Sequence, residues 1–272
     1  EDEDGRRARF GSGLAHCFNE THCLQKKANR DELWRVLIHD EEPTLFEADA
    51  QDEQISRTPV YPKVTRFLHE LPADHPARLY VEDRGFNPDS LGKLGLAYVD
   101  SDPREAMVQG TIFIPFLDLQ RDLVGGQCRR LTSPDKNWPP KYYTLKNTPI
   151  RSVLFNGWRA RDEDLVVVTE GPLDALRIGR CGVATLGSQI SRQQIQLLAR
   201  YWDVFVLAFD GDLKEGEPFA MCSVDRLEET LTGPAHNKEV YRLDLPADKD
   251  PADHSREEIW QKINGKIEKK GT

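Results

Sequence analysis

From Arg161 onward the chain alternates short apolar runs with helical segments, and three of those runs lead into carboxylates. Residues 165–169 (Leu-Val-Val-Val-Thr), 183–186, 204–209 and 239–243 read as strands, too short and too β-branched for helices. Between them the spacing predicts helices over 172–180, from a capping box at Ser191-Arg-Gln-Gln194 to Tyr201, and over 219–231. Ser255-Arg-Glu-Glu258 opens a last helix in the same way. Strands that alternate with helices form a mostly parallel sheet covered on both faces, an α/β architecture.

In such a sheet function gathers just beyond the carboxyl ends of the strands. Glu170 follows the first run directly, with Asp174 one turn later in Glu170-Gly-Pro-Leu-Asp174. Asp210-Gly-Asp212 follows the run 204–209, and Asp250-Pro-Ala-Asp253 comes soon after the last strand. A single acid at a strand end is ordinarily a solvated loop residue. Three clusters in register are different, because converging like charges repel unless a cation joins them. A hard divalent ion such as Mg²⁺ takes oxygen ligands of this kind and works beside phosphate oxygens.

Upstream the texture changes. Residues 64–80 carry apolar positions that suggest one or two short helices, broken by Pro72 and Pro76. Arg84-Gly-Phe86 reads as a helix C-cap. Residues 110–117 and 123–125 read as strands about a turn at 118–122, with 129–131 continuing the second strand toward Lys141-Tyr142-Tyr143. Arg129, Arg130 and Lys141 are by themselves as readily solvated charges at a strand edge as functional contacts. Trp138, Tyr142 and Tyr143 are equally bases' stacking partners or loop anchors.

The order Glu-Gly-x-x-Asp, Asp-x-Asp, Asp-Pro resembles the Toprim domain, over roughly the last 110 residues by count from Arg161. That resemblance implies catalysis involving Glu170, Asp174, Asp210 and Asp212. It implies Mg²⁺ or Mn²⁺ held by Glu170, Asp210, Asp212, Asp250 and Asp253. Ala252 stands where primases usually carry a further Asp, and Leu213-Lys-Glu-Gly-Glu217 replaces the family's Ala-Gly. Thr111-Ile-Phe-Ile-Pro-Phe-Leu-Asp118, Val124-Gly125, Arg129 and Pro140-Lys-Tyr142 resemble the core of bacterial and phage DNA primases. So does Tyr80-Val-Glu-Asp-Arg-Gly-Phe86 ahead of Leu94-Gly-Leu-Ala-Tyr98. By that resemblance the fold is a Toprim parallel-sheet domain at 161–272 behind a smaller α+β subdomain at 63–160, with a basic groove for template and nucleotide lined by Arg84, Arg129, Arg130 and Lys141. The implied activity is synthesis of short RNA primers from NTPs on a single-stranded DNA template, beside a replicative helicase in a primosome. A Toprim nuclease would use the same acids on water, and a Toprim scaffold that has lost chemistry would keep only binding. The first would not need the 111–142 block, and the second need not bind Mn²⁺.

The first 27 residues place Cys17 and Cys23 beside His16 and His22, in Gly13-x-x-His-Cys-Phe-x-x-x-x-Cys23. This resembles the second half of a primase zinc ribbon, which implies Zn²⁺ if the other ligand pair lies upstream; two free thiols are the alternative. Residues 28–62 read as a helix followed by an acidic, Pro-marked linker. A chain that opens on Glu1 reads as a trimmed piece, and the opening shows no secretory signal. With Lys+Arg 37 against Asp+Glu 46, the net charge of −9 excludes a protein that coats nucleic acid by charge alone. Five irregularly spaced Cys read as reduced thiols or metal ligands rather than a disulfide framework. No run is long enough to span a membrane, and the resemblance to primases implies the cytoplasm of a bacterial or phage-infected cell.

Overall fold

The computed structural model describes residues 9–11, 14–16, 61–101, 106–131, 141–209, 218–246 and 249–268. Strands β1 (Arg9–Gly11) and β2 (Leu14–His16) form a small antiparallel pair. The rest is built on two larger sheets.

The first sheet is an antiparallel meander of β3 (Val64–Phe67), β4 (Ala97–Ser101), β5 (Thr111–Leu117), β6 (Leu123–Arg130) and β7 (Tyr142–Thr144), adjacent in chain order. Residues 64–67 pair with β4 instead of forming the expected helix, and only a 3-10 turn, Leu68–Glu70, follows them. Their exposed Thr65, Arg66 and Phe67 suit a sheet edge; Arg66 grips Asp100 of β4 with two hydrogen bonds of 2.8 and 2.5 Å. Pro76, expected to break a helix, opens one. It occupies the first turn of α1 (Pro76–Glu82), where its missing N–H costs nothing, and His75 Nδ1 accepts the Ala77 N–H at 3.1 Å. Gly85 (φ +70°) turns the chain beyond α1, as the sequence implied: Phe86 N–H reaches Val81 O at 2.9 Å and Gly85 N–H reaches Glu82 O at 2.7 Å. Helix α2 (Pro88–Lys93) leads to β4, with Asn87 capping through its side chain to the Ser90 N–H.

The second sheet is parallel, in the order β11–β10–β8–β9. It comprises β8 (Leu165–Thr169), β9 (Gly182–Ala184), β10 (Val204–Leu207) and β11 (Glu239–Arg242). The helices are α3 (Gly157–Ala160), α4 (Pro172–Ile178), α5 (Arg192–Tyr201), α6 (Pro218–Thr232) and α7 (Arg256–Glu268). Neighbouring strand residues point to opposite faces, and both faces are covered. Val166, Val168 and Phe205 pack with Ile195 and Leu198 of α5 and Leu227 and Leu231 of α6. Val167, Val206 and Tyr241 pack with Ile178 of α4 and Ile259 and Ile263 of α7. Trp202, fully buried, donates its indole N–H to Ala160 O at 2.9 Å. Cys128 and Cys181 are buried and outside any disulfide, and burial pushes the Cys181 thiol up to about 11.

Helix α4 joins the halves. Every one of its residues is buried. Leu173, Ala175 and Leu176 share a core with Ile112, Ile114 and Phe116 of β5 and with Leu91 of α2, while Ile178 faces the parallel sheet's other core. Gln194 of α5 adds a polar seam, donating to Ile150 O, Val153 O and Thr185 O at 3.0, 3.0 and 2.7 Å. Among the described residues no helix is long and apolar enough to cross a membrane.

Candidate nucleotide and metal site

Strand β8 delivers Glu170 to the sheet's carboxyl edge, where its carbonyl accepts the Leu186 N–H at 2.9 Å. Gly171 then starts α4, with Pro172 in the first turn. Asp174, only 7% exposed, accepts the Gly171 N–H through Oδ2 at 3.1 Å and the Ala252 N–H through Oδ1 at 3.2 Å. It thereby ties the Glu170 motif to the acidic turn 78 residues later. A side chain at Gly171 has no room: a Cβ there would lie 2.6 Å from Asp174 Oδ2.

The acidic turn is self-bracing. Asp250 Oδ1 accepts the Asp253 N–H at 3.0 Å, and Asp253 Oδ2 accepts the Asp250 N–H at 3.2 Å, around the 3-10 turn Pro251–Asp253. Each of these two carboxylates uses one oxygen in that box.

A cationic and aromatic wall is built from β6, β7 and the end of α1. Arg129 of β6, 3% exposed, donates through Nε to the Tyr80 hydroxyl at 2.7 Å. Its guanidinium carbon lies 4.5 Å from the Tyr142 ring centroid, and that of Arg84 lies 5.1 Å from the Tyr80 ring. Burial pushes the Tyr142 hydroxyl above its ordinary range; Arg129 opposes this, and the charges of Asp174 and Tyr80 reinforce it. Of the wall, Tyr142 is the residue that feels the Asp174 charge.

Arg177 of α4 links wall and turn. Its Nη1 donates to Gly85 O at 3.2 Å, and its Nη2 donates to Arg84 O and, at 3.1 Å, to Ala252 O. Burial lowers its pKa, while Asp250, Asp174, Asp253 and Glu257 pull it back up. A cleft of about 630 Å³ opens here, lined among others by Arg84, Arg177, Asp253, His254 and Arg256.

A family model described as Toprim-like matches residues 167–255. The DNA primase of Staphylococcus epidermidis is 30% identical over 156 residues, which cover 53% of this chain and 24% of that protein. That of Synechococcus elongatus is 34% identical over 154 residues, covering 51% and 21%. The chain therefore spans about a quarter of the length of these relatives. The E. coli primase catalytic core superposes with a TM-score of 0.58 at 18% identity, over 74% of this chain and 75% of that one. A DnaG primase catalytic domain bound to ssDNA gives 0.57 at 20% identity, over 74% of each chain. The zinc-binding and RNA polymerase domains of the Aquifex aeolicus primase give 0.56 at 22% identity, over 71% of this chain and 56% of that one. The chain has the fold of a primase catalytic core, with a Toprim-like domain.

On this primase fold the sequence-derived candidates separate. Glu170, Asp174, Asp250 and Asp253 lie on the Toprim-like half, with Asp174 bonded into the acidic turn. Arg84 and Arg129 share the Tyr80 side of the wall. Arg130 does not join them: successive strand residues face opposite ways, and Arg130 follows Cys128 toward the outer core while Arg129 sits over Tyr142. Lys141 is exposed and meets Arg130 through the backbone, accepting its N–H at 3.2 Å. Asp210, Asp212, Cys17, Cys23 and Trp138 lie outside the described residues. Among the described residues no three His, Cys, Asp or Glu converge as metal ligands. Glu170, Asp174, Asp250 and Asp253 offer oxygen donors, the chemistry a hard cation takes. Sequence reasoning missed Tyr80 as the anchor of Arg129, and Arg177 altogether. The signal for Arg177 was a charged residue amid Leu173, Ala175, Leu176 and Ile178.

Proposed function

We propose that this chain is the primer-synthesising core of a DNA primase, joining NTPs into short RNA on a single-stranded DNA template. The observation that carries the reading is the Toprim-like match over 167–255 joined to a primase-core fold, with Asp174 bonded to the acidic turn through the Ala252 N–H.

Asp210, Asp212, Asp250 and Asp253, with Glu170, would hold Mg²⁺ or Mn²⁺. The bound ion would supply Lewis-acid stabilisation of phosphate charge as a primer 3′-hydroxyl loses its proton and attacks an α-phosphate, with the α–β bond broken and pyrophosphate leaving. Asp174 shapes the site by holding Gly171 and Ala252 in place. Arg84 faces the cleft and would take triphosphate oxygens, with Arg129 fixing the tyrosines and adding positive field. Arg130 and Lys141 would extend the basic surface along the template or the growing primer. Cys17 and Cys23 would give half of a zinc ribbon, and a replicative helicase would be the cellular partner.

The test is incorporation of labelled ribonucleotides on single-stranded DNA with Mg²⁺ or Mn²⁺, beside the Asp210→Ala/Asp212→Ala variant. Template-dependent short products from the wild type alone support a primase. Full activity in the double variant overturns the assignment of the acids, and cleavage of the template without synthesis assigns a nuclease instead.

A further inference from the structure

Helix α4 is buried from end to end, yet it carries a guanidinium into that apolar setting. Arg177 is 8% exposed, and its Nε is buried with no hydrogen-bond partner among the described residues. Desolvating an arginine and leaving one donor unused is a poor route to stability; an aliphatic side chain would fill the same space at lower cost. What the arginine gains is reach. Its two terminal nitrogens meet three carbonyls from two distant segments, those of Arg84 and Gly85 in the turn beyond α1, and that of Ala252 in the acidic turn. Its guanidinium carbon lies 4.2 Å from the Phe86 ring centroid, a contact that seats the fork between the two turns. The cleft between the two turns is bounded on one side by Arg84 and on the other by Asp253.

We infer that Arg177 is a positioning residue that fixes the span between the Arg84 turn and the Asp250–Asp253 turn, and with it the separation between triphosphate and cation. The inference rests on the primase reading of those two turns. Arg177 itself need not touch the nucleotide: both terminal nitrogens are committed to backbone carbonyls. The planar fork is what the role needs. Lysine would carry the same charge as a single point and could not hold both turns at once.

The experiment uses the full chain with Arg177→Met and Arg177→Lys, and three readouts. Hydrogen exchange over 82–86 and 249–254 reports the two turns without metal or nucleotide. Mn²⁺ binding is measured by electron paramagnetic resonance, and steady-state kinetics separate KM from kcat. Both segments should lose protection together in Arg177→Met. Its Mn²⁺ dissociation constant should rise by about 10-fold or more, as for lost outer-shell support of a metal site. KM for nucleotide should rise, and kcat at saturating Mn²⁺ and nucleotide should stay within about twofold. Arg177→Lys should resemble Arg177→Met. Where Arg177→Met does not fold, as judged by near-ultraviolet circular dichroism, Phe86→Leu takes its place, since it loosens the seat of the guanidinium and keeps its charge. A folded variant with wild-type Mn²⁺ affinity and KM overturns the inference, as does rescue by lysine. If wild type and Asp250→Asn bind Mn²⁺ equally while Arg177→Met still loosens both segments, the metal reading of the acidic turn fails instead, and the tie between the turns stands.

Discussion

The two sheets place chemistry in different ways. In the parallel sheet all four strands run alike, so their carboxyl ends lie along one edge, and Glu170 and the acidic turn reach the site from there. In the antiparallel sheet neighbouring strands end at opposite edges, and what brings Arg129 over Tyr142 is the face each residue takes. A site assembled from strand ends tolerates changes in its acids with little effect on the core. One assembled from a strand face lies within the core itself, so its residues carry structure and function together.

That contrast can be tested by substitution, beginning with the acids. Asp210→Ala/Asp212→Ala should abolish ribonucleotide incorporation while leaving the thermal midpoint within a few degrees of wild type; collapse of the fold would erase the distinction. Arg129→Met should lower both activity and stability, the latter by about 1–2 kcal/mol, since it leaves the half-buried Tyr80 hydroxyl without its donor and removes two ring contacts. Arg130→Met, on the opposite face, should change stability by less than about 0.5 kcal/mol, a difference that denaturant titration resolves. Asp174→Asn keeps the shape and loses one of two acceptors. Either Gly171 or Ala252 then has no partner for its N–H, for a loss of about 1–2 kcal/mol in the same titration.

The smallest effect belongs to the outer edge of the antiparallel sheet. The paired Arg66 guanidinium holds Asp100 below the usual carboxylate range. Its contribution is therefore complete above the unfolded value and fades as pH falls through the lower folded one. Asp100→Asn should remove that small contribution at neutral pH and flatten the acid limb, so that variant and wild type converge as pH falls; an unaltered acid limb would show that the pair is too exposed to matter.

How much of this could be read beforehand follows the same division. Residues 165–169 were legible as β8 to the residue, because a strand buried on both faces is apolar throughout and ends at Glu170. The start of α5 was equally plain, since Ser191 and Gln194 make both hydrogen bonds of a capping box. Residues 64–67 were misread because an edge strand needs few apolar positions, and Phe67 and Leu68 imitate a helical spacing. The Arg129–Tyr80 contact spans 49 residues, and no local pattern announces it. Arg129 and Arg130 looked alike as a dibasic pair until the pleat set them on opposite sides.

The bond from the Ala252 N–H to Asp174 has a consequence for the order of assembly. It closes a loop of 78 residues that contains β9, β10 and β11. The chain entropy of that closure is returned only when those strands have docked, so the acidic turn finds its place late. A partly folded chain would offer scattered carboxylates with no shared focus. Any cation that prefers the finished arrangement therefore draws the equilibrium toward the native state, and the melting temperature should climb with its concentration.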